Sequence, residues 1–226
     1  MLEMKENSVP RTTTDVVFEN LHNDIVSLAL MPGAKMSEAE VAARMGVSRQ
    51  PVRDAFNRLA HMDLLSIRPQ RATRVRGFSA EKIANARFVR LSIELEVLRR
   101  AHSVWDDAKA AVLDCQLDIQ RAAIDAGDIG EFHALDYDFH KAIFDLGGHP
   151  LAFDMVVQCK QPVDRLCVLS LGDKDELSHV FADHERIANA LARGSVEQLE
   201  DVTRQHLSRL DATISAIREK HADYFE

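Results

Sequence analysis

The chain has 226 residues, of which 46% are hydrophobic, and its formal net charge at pH 7 is -8. This length and apolar content suffice for one large or two small folded domains. No stretch approaches the roughly 18 consecutive apolar residues of a membrane-spanning helix, and the N-terminus lacks the apolar core of a signal peptide, so we expect a cytoplasmic protein outside the membrane. Three cysteines without close pairing indicate neither a disulfide framework nor a zinc knuckle.

Charge is distributed unevenly along the chain. Residues 1–78 hold 11 Lys and Arg against 9 Asp and Glu, whereas the remainder holds 17 against 27. The segment from Arg44 to Arg76 contains eight arginines and only two acidic residues, both aspartates. A basic patch on an otherwise acidic protein is typical of a protein that contacts nucleic-acid phosphates with one face.

The N-terminal elements begin with an unpatterned stretch. Residues 1–12 are polar and lack periodicity, which predicts a flexible arm. Apolar residues at spacings of three and four predict a first helix from about Thr14 to Leu30. Ser37 and Glu40 then form the S-x-x-E capping signature of a short helix, Glu38 to Met45.

A second helix follows the short one after only three residues, Gly46-Val47-Ser48. Ser48 is expected to cap this helix, which runs to about Met62 and tolerates Pro51 in its first turn. Two helices separated by such a short turn predict a helix-turn-helix.

One hairpin is predicted after the helix-turn-helix. The β-prone runs 64–68 and 73–76 flank residues 69–72, which have the composition of a turn. This hairpin would be the wing of a winged helix-turn-helix domain covering residues 13–78.

Residues 79–226 are predicted to form a second, helical domain. Glycines and short polar segments separate six helical stretches: about Ala80–Ala101, Asp106–Ala126, Ile129–Leu146, Leu151–Leu171, Ser178–Ala192 and Val196–His221. Short connections between helices favour an antiparallel bundle. The predicted fold class is therefore mostly α, with an N-terminal winged helix-turn-helix and a C-terminal antiparallel all-helical bundle.

The second helix of the predicted helix-turn-helix would be the recognition helix, and it begins with basic and amide side chains. Arginine can bind guanine, and glutamine can bind adenine, through two hydrogen bonds in the major groove. Arginines of the hairpin can reach the backbone or the minor groove. The alternative is that these arginines only solvate a helix face, which is the usual role of a surface arginine. The candidate DNA-contacting residues are Arg49, Gln50, Arg53, Arg58, Arg71 and Arg74.

The order of residues over about 15–78 resembles the GntR family of bacterial regulators. The run G-V-S-R-Q-P-V-R-D-A from Gly46 to Ala55 carries the resemblance most specifically. It implies that the side chains opening the recognition helix contact DNA. Two positions depart from the family pattern: Ala39 stands where many members have a basic residue, and Ala72 replaces a glycine at the tip of the wing.

Four polar residues lie on apolar helix faces of the second domain. Asp136 and His140 are four residues apart and so share a face, while His184 and His206 each lie in the apolar stripe of a later helix. Any one of them alone is more often a hydrogen-bonded core residue. Together they predict a three-histidine, one-aspartate site for a divalent metal ion, taken as zinc, with nickel, manganese or iron as alternatives.

The second domain resembles the FCD effector domain of FadR-type GntR regulators over about residues 79–220. The pattern D-x3-H, then H-x2-I, then a third histidine carries the resemblance, and six helices match the shorter, VanR-like branch. The resemblance implies that the metal helps to hold a small carboxylate effector. Arg87, Arg90 and Arg165 are candidates for an arginine that binds the effector, although each could instead form an ordinary ion pair.

These features predict a ligand-responsive transcription regulator that binds double-stranded operator DNA as a homodimer. A metal-dependent hydrolytic enzyme is the alternative from another class. It is disfavoured, since no clear general base or substrate loop accompanies the predicted ligands. A third possibility is that the metal only staples the bundle together.

Overall fold

A computed structural model describes residues 11–170 and 174–226, without the side chains of residues 160–162, 164, 167, 170 and 174–176. The chain divides into two compact units, one ending at Phe78 and including Glu226, the other covering Ser79–Phe225. Of the predicted arm, only Arg11 and Thr12 fall within the described residues, and the predicted helix break at Gly172 lies outside them.

The first unit combines three helices with a small antiparallel sheet. Its strands are β1 (Lys35–Met36), β2 (Leu65–Ser66) and β3 (Thr73–Val75). They lie in the order β1-β3-β2, with Lys35 opposite Arg74 and Leu65 opposite Val75. The helix-turn-helix and wing are confirmed, but strand β1 was not predicted, because two residues are too few to show alternation. In chain order the elements are α1 (Thr13–Val26), β1, α2 (Glu38–Met45), α3 (Arg49–His61), β2 and β3.

Helix α1 ends four residues earlier than predicted. The Ser27 hydroxyl donates to the carbonyl of Asn23, and Leu28 adopts a left-handed conformation with φ of 61°. This turn allows the N–H of Leu30 to bond the carbonyl of Asp24 while Leu28 stays buried. Because Leu28 continues the apolar spacing beyond the end of α1, the spacing predicted a longer helix than the structure has.

Among the α-helices whose N-cap the structure describes, all but one are capped by a side chain. Six N-cap side chains accept the backbone N–H three residues on: Thr12, Ser37, Ser79, Asp106, Asp128 and Ser195. Ser48 occupies the N-cap position of α3 but makes no such hydrogen bond, so the predicted cap is wrong. The reason is Pro51, which stands three residues on and has no N–H to donate.

The second unit consists mainly of six long helices, which confirms the predicted bundle. Helix α4 (Ala80–Ser103) packs against α7 (Pro150–Cys167) and α9 (Val196–Lys220), while α5 (Asp107–Ala126) packs against α6 (Ile129–Leu146) and α8 (Lys174–Arg193). Two predicted bounds were wrong, since α7 ends before a 3-10 turn at Val168–Ser170 and α8 begins earlier than Ser178. A final 3-10 turn is Ala222–Tyr224.

The core of the bundle surrounds polar side chains. Phe139, Ile187 and Leu199 are almost fully buried, as are the imidazole of His184 and the carboxyl of Glu94. A buried polar group costs free energy unless it is hydrogen-bonded or paired, so these polar side chains require partners.

Among the described residues, no helix has both the length and the apolar character needed to cross a membrane.

Candidate metal centre and DNA-binding surface

The structure brings the four predicted metal ligands together. Helix α6 supplies Asp136 and His140, α8 supplies His184 and α9 supplies His206, and one ligand atom from each lies within 4.8 Å of the others. The Nε2 atoms of His140 and His206 are 3.2 Å apart, and Nε2 of His184 lies 3.3 Å from Oδ1 of Asp136. Three ring nitrogens and one carboxylate oxygen thus converge on one point.

A second layer of side chains faces the outer nitrogen of each histidine. Nδ1 of His184 lies 2.8 Å from Oε1 of Gln120, and Nδ1 of His140 lies 3.3 Å from Oε2 of Glu94. Nδ1 of His206 faces Oδ2 of Asp183 at 3.6 Å, slightly beyond hydrogen-bond distance. Acceptors at Nδ1 favour a proton there, so the Nε2 lone pairs point to the centre.

Gln120 is itself held in one orientation. Its Nε2 donates to the carbonyl of Leu135 at 3.2 Å, which turns its Oε1 toward His184. The imidazole of His184 also stacks on Phe139, with ring centroids 4.3 Å apart. Contacts on several sides therefore fix the position of the His184 ring.

The two buried carboxylates of this second layer remain ionised. Burial alone would raise the pKa of Glu94, but the positive charge of Arg90 and contacts with Arg90 and His140 hold it well below its usual range. Burial opposes ionisation of Asp183 as well, and contacts with His206 and Arg209 hold its pKa well below the ordinary value. Both carboxylates can thus polarise the imidazoles that they face.

Burial has the opposite effect on two of the histidines. It lowers the pKa of His184 to about 4, against the opposing effect of Asp136, and it also lowers the pKa of His206. Both rings are neutral at pH 7 and therefore available as ligands. Within the described part of the chain, Nε2 of His184 is buried and has no hydrogen-bond partner. A divalent cation would satisfy this nitrogen, and the donor set of three nitrogens and one oxygen fits such an ion.

Gln120 and Asp183 were not singled out as site residues from the sequence. Gln120 lies among the buried positions of α5, and Asp183 directly precedes His184. A polar residue on an apolar face was the available signal for Gln120. Asp183 gave no such signal, because the sequence does not show that it meets α9.

The three candidate effector arginines occupy different surroundings. Nη2 of Arg90 lies 3.4 Å from Nε2 of His140, and Nε of Arg90 donates to Glu94 at 2.5 Å. Arg87 lines a pocket of about 470 Å³ and pairs with Asp211. Arg165 is buried on α7 and is not among the described residues that line this pocket. Arg90 is thus the candidate next to the histidine cluster.

In the first unit, the candidate residues Arg49, Gln50 and Arg53 in the first turns of α3 are all exposed. Arg49 makes no side-chain hydrogen bond or ion pair with the described residues. Gln50 donates to Oδ1 of Asp54 at 3.0 Å, and Arg53 pairs with Glu38 at 3.3 Å. These contacts are solvent-exposed and weak enough to be exchanged for others.

The remaining candidate arginines have contacts within the first unit. Arg58 pairs with Asp15 at 2.7 Å and lies over the ring of Phe18. Arg74 donates to the carbonyl of Gly33 at 2.7 Å, and Arg71 is exposed in the wing turn. The left-handed residue of that turn is Gln70, with φ of 57°, so Ala72 is not strained where a glycine was expected.

Two family models match the chain. The model for bacterial regulatory proteins of the gntR family matches residues 13–75, and the FCD domain model matches residues 86–209. Those two ranges contain the DNA-facing candidates and the metal cluster respectively. Both models describe parts of transcription regulators rather than enzymes.

Individual relatives agree with the family models. The chain is 34% identical to the HTH-type transcriptional repressor RspR of Escherichia coli K12, covering 92% of each chain. It is 30% identical to the gluconate operon transcriptional repressor of Bacillus subtilis, over 78% of this chain and 71% of that one. A putative GntR regulator from Rhodococcus sp. RHA1 shares the fold, with a TM-score of 0.68, 23% identity and coverage of 90% and 97%.

Proposed function

Because this chain belongs to the GntR family of bacterial transcription regulators and carries an FCD domain, we propose that a small carboxylic acid, held through a divalent metal ion, controls its binding to operator DNA. The observation that carries the proposal is the convergence of three Nε2 atoms and one Asp136 oxygen beside Arg90. The relative from B. subtilis, named for the operon of gluconate, is consistent with an acid as effector.

Asp136, His140, His184 and His206 would hold the metal ion. Zinc suits this donor set, and nickel, manganese or iron are alternatives. When bound, the ion supplies a positive centre that carboxylate oxygens bind directly. The protein supplies the orientation of the ligands through Gln120 and the two buried carboxylates of the second layer.

Arg90 is the arginine best placed to meet the effector. Its guanidinium is 3.4 Å from a nitrogen that would bind the ion, and two cations this close repel each other. A carboxylate between them would remove that repulsion, and arginine binds carboxylates through two parallel hydrogen bonds. Metal and acid should therefore bind cooperatively. Arg87 pairs with Asp211 of α9 instead, and none of its contacts with the described residues involves a predicted ligand.

DNA would be read by the residues that open α3. Arg49, Gln50 and Arg53 are exposed at the N-terminal end of that helix, where a recognition helix meets base edges and phosphates. Arg58, Arg71 and Arg74 would contribute phosphate or minor-groove contacts.

We propose that the protein acts in the cytoplasm. We also propose that it is a homodimer, since one helix-turn-helix contacts too few base pairs for adequate specificity. Phe88 of α4 and Leu151 and Met155 of α7 are exposed by 71%, 79% and 60%. Apolar side chains this exposed on two helices that pack together are typical of a surface covered by another chain.

The test measures DNA affinity against metal and acid together. Operator fragments would first be selected from random double-stranded DNA with zinc-loaded protein. Fluorescence anisotropy would then follow the affinity with a panel of small carboxylic acids, with and without a chelator. We expect at least one acid to change the affinity by about 5-fold or more, and only in the metal-loaded protein.

Arg90→Gln should abolish this response, whereas Arg100→Gln, which removes an exposed arginine of the same helix, should retain it. An acid response that persists without metal and in Arg90→Gln would contradict the proposal. If metal raises the melting temperature but no acid changes it or the DNA affinity, the ion is only a staple of the bundle.

A further inference from the structure

The pocket of about 470 Å³ lies in the bundle between α4, α7 and α9. Its size falls within the range of small-molecule sites, and its lining is largely apolar. Leu91, Val163, Leu207 and Leu210 line it together with Phe88. An occupant therefore needs an apolar body.

Arg90 connects this pocket to the metal centre. It lines the pocket, and it also lines a small cavity that includes Glu94 and His140. A ligand whose acid group meets Arg90 would thus have its body directed into the larger pocket.

The pocket is also lined by Arg204, which pairs with Glu200 at 3.6 Å, and by a third positive group, Arg87. Arg87 lies three residues before Arg90 on α4, hence about 4.5 Å along the helix axis and one turn away. Its side chain is 27% exposed and pairs with Asp211 of α9, which is 57% exposed. Burial lowers the pKa of the Arg87 guanidinium from its ordinary value, so Asp211 does not fully compensate its loss of solvent.

Asp211 is a partner that a ligand can replace. It is more than half exposed, so water can solvate its carboxylate after Arg87 leaves it. Arg87 is the less exposed partner and gains more from a new anion in the pocket. Replacing Asp211 by a ligand anion at Arg87 is therefore favourable, because the freed Asp211 carboxylate stays solvated on α9.

We propose that the effector is a diacid whose second anionic group takes the place of Asp211 on Arg87, while its first acid group binds at Arg90 and the metal. This inference rests on the proposed function and specifies its ligand class: an apolar body with an acid group at each end. A monoacid of the same body occupies the site without engaging Arg87.

Matched pairs of acids test this inference. Isothermal titration of the zinc-loaded full-length protein would compare hexanoate with hexanedioate, octanoate with octanedioate, and benzoate with benzene-1,4-dicarboxylate. We expect at least one diacid to bind about tenfold more tightly than its monoacid, at the low end for a hydrogen bond between charged groups. Arg87→Gln should remove this preference, whereas Asp211→Asn should keep or increase it.

Arg99→Gln is the matched control, because Arg99 of α4 also pairs with a carboxylate of α9, Glu200, but lies outside the pocket. It should leave the diacid preference intact. If monoacids bind but no diacid is preferred, or if Arg87→Gln keeps the preference, the inference is wrong and the proposed function stands. If neither class binds the metal-loaded protein, the proposed function fails and this inference fails with it.

Discussion

Nε2 of His140 lies 3.2 Å from Nε2 of His206, so two buried imidazoles direct ring nitrogens at each other. Two lone pairs at this distance repel unless a proton or a cation lies between them. Burial lowers the pKa of His206, which disfavours an added proton. A shared metal ion would resolve this conflict without charging either ring.

The first prediction concerns the metal ligands. His206→Ala removes a predicted ligand outright. It should therefore lower the affinity for zinc by more than about 10- to 100-fold, which is the usual effect of losing a side chain that hydrogen-bonds a ligand. Calorimetric titration of the metal-free protein would measure this, and zinc should no longer raise its melting temperature. His179→Ala, which removes an exposed histidine of α8, should bind zinc like the unaltered protein. Equal affinity of both variants would refute the site.

A second prediction concerns Gln120, which does not belong to the predicted ligand set. Gln120→Leu removes the acceptor 2.8 Å from Nδ1 of His184 and should weaken zinc binding by about 10- to 100-fold. Gln116→Leu is the matched control on the same helix, because the Gln116 amide oxygen is buried and has no hydrogen-bond partner among the described residues. That variant should keep its zinc affinity. A loss in both variants would point to damage to α5 rather than to the orientation of His184.

The third prediction is a pH dependence at the start of α1. Hydrogen bonds from Thr12 and then Arg58 lower the pKa of Asp15 from 3.8 to about 2. Because the folded pKa is depressed, Asp15 stabilises the fold above about pH 4, and this contribution is lost as the pH falls toward 2. Asp15→Asn should therefore reduce the melting temperature at pH 5 but have little effect near pH 2. Asp125→Asn, an exposed position of α5, should show no such difference between the two pH values.

The fourth prediction concerns DNA affinity. Arg49 has no partner to give up among the described residues, so Arg49→Ala should weaken operator binding without loss of stability. If Arg49 contacts a phosphate, the salt dependence of log K should also become shallower by about one unit. Gel-shift titrations at several salt concentrations would measure both effects. Arg193→Ala, at an exposed site of the second unit, should match the unaltered protein.

Glu38→Gln extends that test to Arg53. It frees Arg53 from a carboxylate 3.3 Å away, and it should therefore tighten DNA binding. Weaker binding would mean that Glu38 positions Arg53 for the DNA rather than competing with it.

Much of the fold was predictable from local patterns. Gly46 ends α2 in a left-handed conformation, and Ser195 and Gln198 form both hydrogen bonds of a capping box. The apolar faces that contain Asp136, His184 and His206 implied their convergence, because a buried polar group requires partners. The sequence pattern was informative wherever periodicity or a cap determined the structure.

The rest depends on contacts between distant parts of the chain. Asp183 meets His206 and Arg209 of α9, and no spacing within α8 reveals this. Arg90 could not be separated from Arg87 and Arg165 by sequence, because only the packing of α4 against α6 places it beside His140. Strand β1 exists only through its pairing with β3.

The missing cap of α3 leaves position 48 without a role in helix stability. Replacing a capping serine by alanine ordinarily destabilises a protein by about 1 kcal/mol, but Pro51 has already removed the N–H that Ser48 would have bound. Ser48→Ala should therefore leave the melting temperature unchanged, unlike Ser79→Ala or Ser195→Ala. Ser48 is exposed, so its hydroxyl remains available for contacts outside the protein. Its identity among related regulators should vary with their target sequences rather than with their thermal stability.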